Sequence, residues 1–244
     1  WRQVLAIEPG HAKAADALRK LLVETKSWGD LEAFYLEREQ AAEMVKVFET
    51  LANTAKEAAD VIELLFRAAR VWQDELGNAE RAIKALEKIF ETDPANADAA
   101  AKLVPYYEAA SEHARLVEML KIMHKAQSDV AVRVELGTRL AELCEGPLEK
   151  AAEAYTWLRL IVKEKPDHTA AYDDFERLAT LTQKQADAVG LYKTILEQLG
   201  TEAEQREVRF RIGRILANEL DRVDEALAIF EGILEKEPEN QIGR

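Results

Sequence analysis

The chain has 244 residues, of which 48% are hydrophobic and 32% charged, so it is too apolar for disorder and can bury a large core. Its formal net charge of -13 argues against binding to nucleic acid or to an anionic membrane surface, because both contacts depend on Lys and Arg. The single cysteine, Cys144, excludes an internal disulfide. No apolar run reaches the length of a membrane span. We expect a cytoplasmic protein without membrane insertion.

Apolar residues recur at the helical spacing i, i+3, i+4 and i+7 throughout the chain, and no segment shows the alternation that is typical of a strand. Glycines, prolines and short polar clusters divide the chain into about thirteen predicted helices that form antiparallel pairs. They span residues 1–8, 11–26, 29–53, 56–76, 79–92, 96–110, 113–126, 129–144, 148–164, 168–182, 185–199, 202–220 and 222–236.

A repeat with a fixed period organises these helices. Its markers are three prolines, each preceded at a distance of twelve positions by an alanine. The prolines are Pro94, Pro166 and Pro238, and the alanines are Ala82, Ala154 and Ala226, so the period is 166 - 94 = 238 - 166 = 72. A fixed period indicates stacked units that cover one another's apolar faces. One period holds four helices, so we expect two helix pairs per period, with the alanines where paired helices pass closest.

The first period is irregular. Pro9 and Pro94 differ by 94 - 9 = 85 in number, so this period is longer than the others by 85 - 72 = 13 positions. Trp28 still keeps the longer offset to its counterpart in the next period, whereas Phe48 already keeps the regular one. No glycine or proline interrupts this stretch, so the insertion predicts one long helix over residues 29–53. The alternative is an extra short helix that folds back.

The helix pairs resemble the tetratricopeptide repeat. The positions that carry the resemblance are the family's Leu-Gly pair and the alanine, aromatic residue and proline of its second helix. In the best-matching repeat these positions hold Ile212, Gly213, Ala226, Phe230 and Pro238. Residues 66–94 and 138–166 hold small or apolar residues at most of the same places. The array is similar to the degenerate repeats of long bacterial scaffold proteins.

The resemblance implies an all-α solenoid of stacked antiparallel hairpins, wound as a right-handed superhelix with a concave groove lined by the first helices. We expect one array, a fragment of a longer protein. Its repeats would cover residues 10–53, 56–94, 95–126, 128–166, 167–199 and 201–238. The expected function is a non-catalytic protein interaction scaffold that binds a peptide or a partner helix in the groove, with self-association through exposed array ends as a further contact. The alternatives are a regulatory or substrate-recruiting segment of a larger enzyme and a structural spacer in an assembly.

Motifs of catalysis and metal binding are absent from the sequence, including phosphate-binding, dinucleotide-binding, zinc-protease and nucleophile-elbow patterns. The four histidines do not have the spacing of a zinc pair. Cys144 stands at the repeat position that Trp72 and Leu216 occupy, which predicts a small buried hydrophobic side chain. The sequence therefore predicts no catalytic residue, no metal site and no cofactor.

The most regular polar signal is a ladder of arginines in the first helices: Arg67, Arg139 and Arg211, which recur with the period of the marker prolines. In the family that the chain resembles, such residues face the groove and bind carboxylates, which suits the planar guanidinium. Arg70 and Arg214, one helical turn on, extend the same face. The alternative is a helix-surface ion pair, because a glutamate precedes each ladder arginine by four positions. The two interpretations are compatible.

Two aromatic residues, Trp28 and Tyr35, are further candidates for contact with a partner. Trp28 begins a predicted helix, at the place that His113 holds in the next period. The alternative is that Trp28 packs between hairpins as part of the core.

Overall fold

A computed structural model describes residues 1–236, and within them every regular element is a helix. The α-helices are α1 Arg2–Ile7, α2 Ala12–Glu24, α3 Trp28–Leu36, α4 Ala41–Thr54, α5 Ala58–Arg70, α6 Ala79–Thr92, α7 Ala97–Ala109, α8 His113–Ala126, α9 Val130–Glu145, α10 Ala151–Glu164, α11 Tyr172–Leu181, α12 Gln185–Ile195, α13 Glu202–Asn218 and α14 Val223–Lys236. A π-helical turn, Val71–Glu75, follows α5, and short 3-10 turns occur at Thr169–Ala171 and Leu196–Gln198. The all-α prediction is confirmed.

Two compact units make up the chain, Trp1–Leu103 and Val104–Arg244. Consecutive helices pack against one another from α1 to α6 in the first unit and from α8 to α14 in the second. Each amphipathic helix thereby covers the apolar stripe of its neighbours, as expected for stacked helix pairs. Among the described helices none is long and apolar enough to cross a membrane.

Small residues lie where the paired helices meet. Ala82, Ala154 and Ala226 are 1%, 0% and 1% exposed, which confirms that the repeated alanines are buried. In the last pair, a Cβ added to Gly213 on α13 would lie only 2.6 Å from Cε1 of Phe230 on α14. The absence of a side chain at this glycine therefore lets the aromatic ring pack directly against the backbone of the first helix.

The turns at Pro9, Pro94 and Pro166 share one geometry. The residue before each proline ends its helix with nearly the same φ, -130°, -136° and -136° respectively. Its carbonyl oxygen then accepts a hydrogen bond from the amide three residues on, at 3.1, 3.2 and 3.0 Å. Pro9 is therefore a turn proline of the same kind as the other two. Pro238 lies outside the described residues.

Left-handed residues mark a second kind of turn, between the helices of a pair. They form two series, each with the period of the marker prolines: Glu39, Ser111 and Gln183 with φ of 56°, 54° and 59°, and Gly77, Glu149 and Asp221 with φ of 61°, 53° and 54°. Only glycine adopts this conformation freely, and other residues lose about 1–2 kcal/mol there. The turns thus repeat more regularly in the backbone than in the sequence, since Gly77 is the one glycine among these six positions.

The thirteen extra residues give the first period one more turn than the next period, and a separate short helix, α3, lies between its two turns. Lys26 is a further left-handed residue, with φ of 51°. Its offset to Ser111 is the longer one, 111 - 26 = 85, whereas Glu39 keeps the regular offset, 111 - 39 = 72. Two turns of the first period therefore correspond to one turn of the next, and their separation, 39 - 26 = 13, equals the length of the insertion. The predicted single helix over residues 29–53 is wrong, and the alternative of an extra short helix is confirmed.

Arg38 ends α3 without the help of glycine or proline. Its Nη1 donates to the carbonyl oxygen of Phe34 at 2.8 Å, and its guanidinium lies 4.0 Å from the centre of the Phe34 ring. The amide of Glu39 donates to the carbonyl of Leu36 at 3.0 Å. These contacts satisfy carbonyls that the next helical turn would otherwise use, so the chain can leave the helix.

Candidate functional site

The ladder arginines lie on α5, α9 and α13, which are first helices of their pairs. On α5, Arg67 Nη2 lies 2.9 Å from Oε1 of Glu63, and on α13, Arg211 Nε lies 2.8 Å from Oε1 of Glu207. These are i, i+4 pairs, which contribute a few tenths of a kcal/mol on a helix surface. At both positions the helix-surface ion pair that the sequence suggested is present.

In the first unit, two arginines converge on one buried carboxylate. Glu32 on α3 is 8% exposed. Its Oε1 lies 3.0 Å from Nη1 of Arg67, and its Oε2 pairs with Nη2 of Arg70. A carboxylate at such a depth needs a cation or several donors, because its desolvation is costly. The arginine cluster of the first unit, Arg67 and Arg70 with Glu32, therefore ties α3 to α5.

The second unit has an equivalent cluster on α11 and α13. Glu176, 6% exposed, accepts a hydrogen bond from Nη1 of Arg211 at 2.9 Å and pairs through its other oxygen with Arg214. The hydroxyl of Tyr192 donates to the same carboxylate at 2.8 Å. Arg211 also lies 2.8 Å from Oδ1 of Asp173, which is at the surface. Both oxygens of the buried Glu176 carboxylate are thus bonded within the fold.

The middle ladder arginine has a different partner. Arg139 pairs with Glu108, from α7. The period between the two clusters holds Val104 at the place of Glu32 and Glu176, and Glu142 at the place of Arg70 and Arg214. The buried carboxylate and the second arginine are thus replaced together, as expected if each exists to balance the other.

Electrostatics keep the inner arginines charged. Burial alone would lower the pKa of Arg211, but hydrogen bonds with Asp173 and Glu207 raise that pKa above its ordinary value. For Arg67, burial again acts downward, and the bonds with Glu63 and Glu32 raise the pKa. Both guanidiniums therefore act as fixed positive charges against the buried carboxylates.

Trp28 and Tyr35 lie in the core around α3. Their exposed fractions are 6% and 3%, and the Tyr35 ring meets Phe34 edge to face with ring centres 5.3 Å apart. Trp28 is therefore part of the core, which was the alternative to a role in partner contact. Cys144 is also buried, and burial raises the pKa of its thiol, which matches the predicted small hydrophobic role.

Glu32 and Glu176 are the site residues that the sequence analysis missed. The usable signal was their separation of two whole periods, 176 - 32 = 2 × 72, together with the paired replacement in the period between. Each follows a fully buried residue, Leu31 or Phe175, so helical periodicity alone would place both glutamates at the edge of the core. Within residues 1–236, no group of three or more His, Cys, Asp or Glu side chains is placed to hold a metal ion.

Solved structures of repeat proteins are similar to this chain at low identity and with TM-scores below 0.5. YrrB, a TPR protein with an unusual peptide-binding site, is 16% identical over 77% of this chain and 96% of its own, with a TM-score of 0.35. A tetratricopeptide repeat protein from Parabacteroides merdae is 14% identical over 99% and 86%, with a TM-score of 0.37. The pilF protein of Pseudomonas aeruginosa is 15% identical over 94% and 96%, with a TM-score of 0.33. No curated protein matches the sequence.

The tetratricopeptide repeat family model matches two segments, residues 63–96 and 207–240. The first match begins in α5 and covers α6, and the second begins in α13 and covers the described part of α14. Their starting residues, Glu63 and Glu207, are the glutamates that pair with ladder arginines. Two segments of the chain thus match the tetratricopeptide repeat, and both lie on helix pairs that recur with a fixed period.

Proposed function

We propose that the protein is a non-catalytic scaffold that binds a protein or peptide partner through the first helices of its repeats. The observation that supports this most is the pair of family matches on helix pairs that recur with a fixed period. Stacked pairs present a long surface on which many modest contacts add up to useful affinity.

Arg70 and Arg214 are the proposed points of contact. Their side chains are 57% and 45% exposed, whereas those of Arg67 and Arg211 are 24% and 16% exposed. One end of each outer guanidinium is held by a buried carboxylate, so the side chain is already ordered before a partner arrives. A guanidinium carries five N–H groups, which leaves donors for a carboxylate or a backbone carbonyl of the partner.

The inner arginines have a different proposed role. Arg67, Arg139 and Arg211 each pair with an acidic residue of a neighbouring helix, so we propose that they brace adjacent repeats. Removing such a brace leaves a buried or half-buried carboxylate with one cation fewer, which costs more than a surface pair. The main role that we propose for Arg67, Arg139 and Arg211 is therefore to stabilise the fold rather than to bind a partner.

Two sets of substitutions test these roles, and the unfolding midpoint is measured for both sets, because Arg70 and Arg214 also bond the buried carboxylates. Arg70→Ala with Arg214→Ala is expected to weaken partner binding by about tenfold or more, since charged hydrogen bonds contribute about 1.5–3 kcal/mol each. Arg67→Ala, Arg139→Ala and Arg211→Ala together are expected to lower the unfolding midpoint. The partner is captured from native lysate with the wild-type chain, purified, and titrated calorimetrically against both variants. Lys125→Ala with Lys163→Ala, at exposed sites on second helices, is the control.

Each outcome decides one part of the proposal. Wild-type affinity in the Arg70 and Arg214 variant would exclude those residues as contacts. Failure of every captured protein to bind after purification would contradict the scaffold function itself.

A further inference from the structure

A polar cleft of about 550 Å³ opens among α4, α5 and α6 of the first unit. This volume lies within the range of pockets that hold small ligands or short peptide segments. Leu65 lies at its apolar part, and the remaining residues used below are polar: Glu49 and Asn53 from α4, and Arg81, Lys84 and Lys88 from α6.

The cations of α6 share one helix face along the cleft. Arg81, Lys84 and Lys88 follow one another at i, i+3 and i+7, a spacing that places side chains on the same side. Glu80 neutralises Lys84 at 2.6 Å, and the Lys88 ammonium bonds the side-chain oxygen of Asn53. The backbone positions of Arg81 and Lys88 are therefore about 10 Å apart along the helix axis, since a helix rises about 1.5 Å per residue.

Trp72 holds the Arg81 guanidinium in place. The indole N–H donates to Oε1 of Glu49 at 2.8 Å, and the guanidinium carbon of Arg81 lies 4.6 Å from the ring centre. A guanidinium over an aromatic face interacts through its charge, which leaves its in-plane N–H groups available. Trp72 belongs to the π-helical turn Val71–Glu75, and such turns are frequent at functional sites.

The later periods close the same place with an ion pair. Lys121 Nζ lies 2.7 Å from Oε1 of Glu153, and Lys193 Nζ lies 3.8 Å from Oε2 of Glu225. In the first period the charges are reversed, because Glu49 stands at the lysine position and Arg81 at the glutamate position. Both residues contact the indole of Trp72, where the later periods hold Cys144 and Leu216. The Trp72 indole lies between Glu49 and Arg81, where the later periods have a direct ion pair, and this accounts for the open cleft.

We propose that this cleft binds an acidic peptide segment of a partner, with two carboxylates about 10 Å apart on Arg81 and Lys88. The spacing corresponds to residues three apart in an extended strand, at about 3.3 Å per residue. Glu49 and Asn53, on the α4 side of the cleft, add acceptors for the N–H groups of the segment through the lone pairs that the bonds with Trp72 and Lys88 leave unused. A local row of cations on a chain of net charge -13 favours an acidic over a basic ligand. This surface is separate from the arginine clusters, and the inference does not depend on them.

The test uses acetylated hexaglutamate amide as the probe, titrated into isotopically labelled protein and followed by amide chemical shifts. Hexaglutamine is the neutral control, and inorganic phosphate is a separate arm. Saturable shifts are expected in α4 and α6 with hexaglutamate alone. Arg81→Glu with Lys88→Glu is expected to weaken binding by about tenfold or more, because two charge-assisted contacts become repulsive. Lys125→Glu with Lys163→Glu carries the same charge change on α8 and α10 and is expected to bind as the wild type does.

Equal affinity of the wild type and the Arg81, Lys88 variant would overturn the inference, as would equal binding of hexaglutamine. Phosphate that saturates the same amides as tightly as hexaglutamate would replace the peptide site by a simple anion site. If circular dichroism shows that the charge reversal unfolds α6, Arg81→Gln with Lys88→Gln gives the same test without repulsion, and unchanged affinity in that variant would again overturn it.

Discussion

At the residue scale, the buried carboxylate of Glu176 restricts the movement of Arg211 and Arg214. Arg211 and Tyr192 bond one oxygen of Glu176, and Arg214 bonds the other, so Arg214 cannot move without leaving a buried acceptor unpaired. The sequence predicts the arginines, because their spacing repeats. Residue type does not predict the buried glutamate, because Glu in an amphipathic helix normally faces solvent, and its one sequence signal is the separation of Glu32 and Glu176 by two periods.

Two glycine substitutions should have opposite effects on stability. In Gly213→Ala the new methyl would meet the Phe230 ring, and we expect a net loss of about 1 kcal/mol after the gain in helix propensity. Gly190, on α12, has nothing within 4 Å of an added Cβ, so Gly190→Ala should stabilise by about 0.5–1 kcal/mol. Urea denaturation of both variants measures the difference. A stabilised Gly213→Ala would show that Phe230 does not pack on the glycine.

His124 should make stability depend on pH. It is 8% exposed, its ring lies edge to face with Trp157 at 5.1 Å, and burial lowers its pKa below the ordinary 6.5, partly opposed by Glu164. The unfolded chain therefore takes up the proton first as pH falls. Stability from this group is complete above about pH 6.5 and declines below it.

The measurement is the free energy of unfolding in urea at several values of pH between about 5 and 7.5. His124→Phe should remove part of the decline on the acid side, whereas the control His168→Phe should keep that part. An identical acid-side slope in the wild type and His124→Phe would show that the decline has another origin.

At the element scale, hydrophobic periodicity predicts where helices occur, but it does not predict the end of α3. The pattern over residues 29–53 is continuous, so sequence reasoning predicts a single helix. The break depends on Arg38, which binds Phe34 twice, through a carbonyl and through the ring. A long side chain that folds back to cap its own helix leaves no trace in hydrophobic spacing, unlike Gly77 or the turn prolines.

Removal of α3 should restore the regular period. Deleting residues 28–40 joins the turn at Lys26 to Ala41, as the turn at Ser111 joins α8 in the next period. We expect a folded helical protein with a lower unfolding midpoint, because Arg67 and Arg70 lose Glu32 and the core loses Leu31 and Tyr35. Circular dichroism and thermal melting measure both properties.

A deletion that is two residues longer serves as the control for the removal of α3. Deleting residues 28–42 also removes the first two residues of α4, so the apolar stripe of α4 is rotated by about 200° relative to the turn at Lys26. We expect this variant to melt at a lower temperature than the deletion of residues 28–40. The reverse order would show that restoring the regular period does not stabilise the shortened chain.

At the scale of the whole molecule, most contacts among the described helices run between helices that are neighbours in sequence. The sequence predicts this arrangement well, since a fixed period with one-sided stripes requires stacking. In such a chain each pair needs its neighbours and little else, so stability is distributed along the repeats. The arginine clusters follow the same rule, because each joins helices that lie near one another in the chain.

This distribution predicts that residues 95–244 fold without the preceding helices. The fragment begins after Pro94, so it contains α7 to α14 whole, and its cluster of Arg211, Arg214 and Glu176 is internal to it. Far-UV circular dichroism should show a helical signal per residue equal to that of the full chain, with a cooperative thermal transition. The control is the same fragment with Leu178→Asp and Ile212→Asp, which places charges at buried positions and should abolish the transition. A fragment that is unfolded without these substitutions would mean that long-range contacts with residues 1–94 are required, and the stacked, locally stabilised arrangement would then be incorrect.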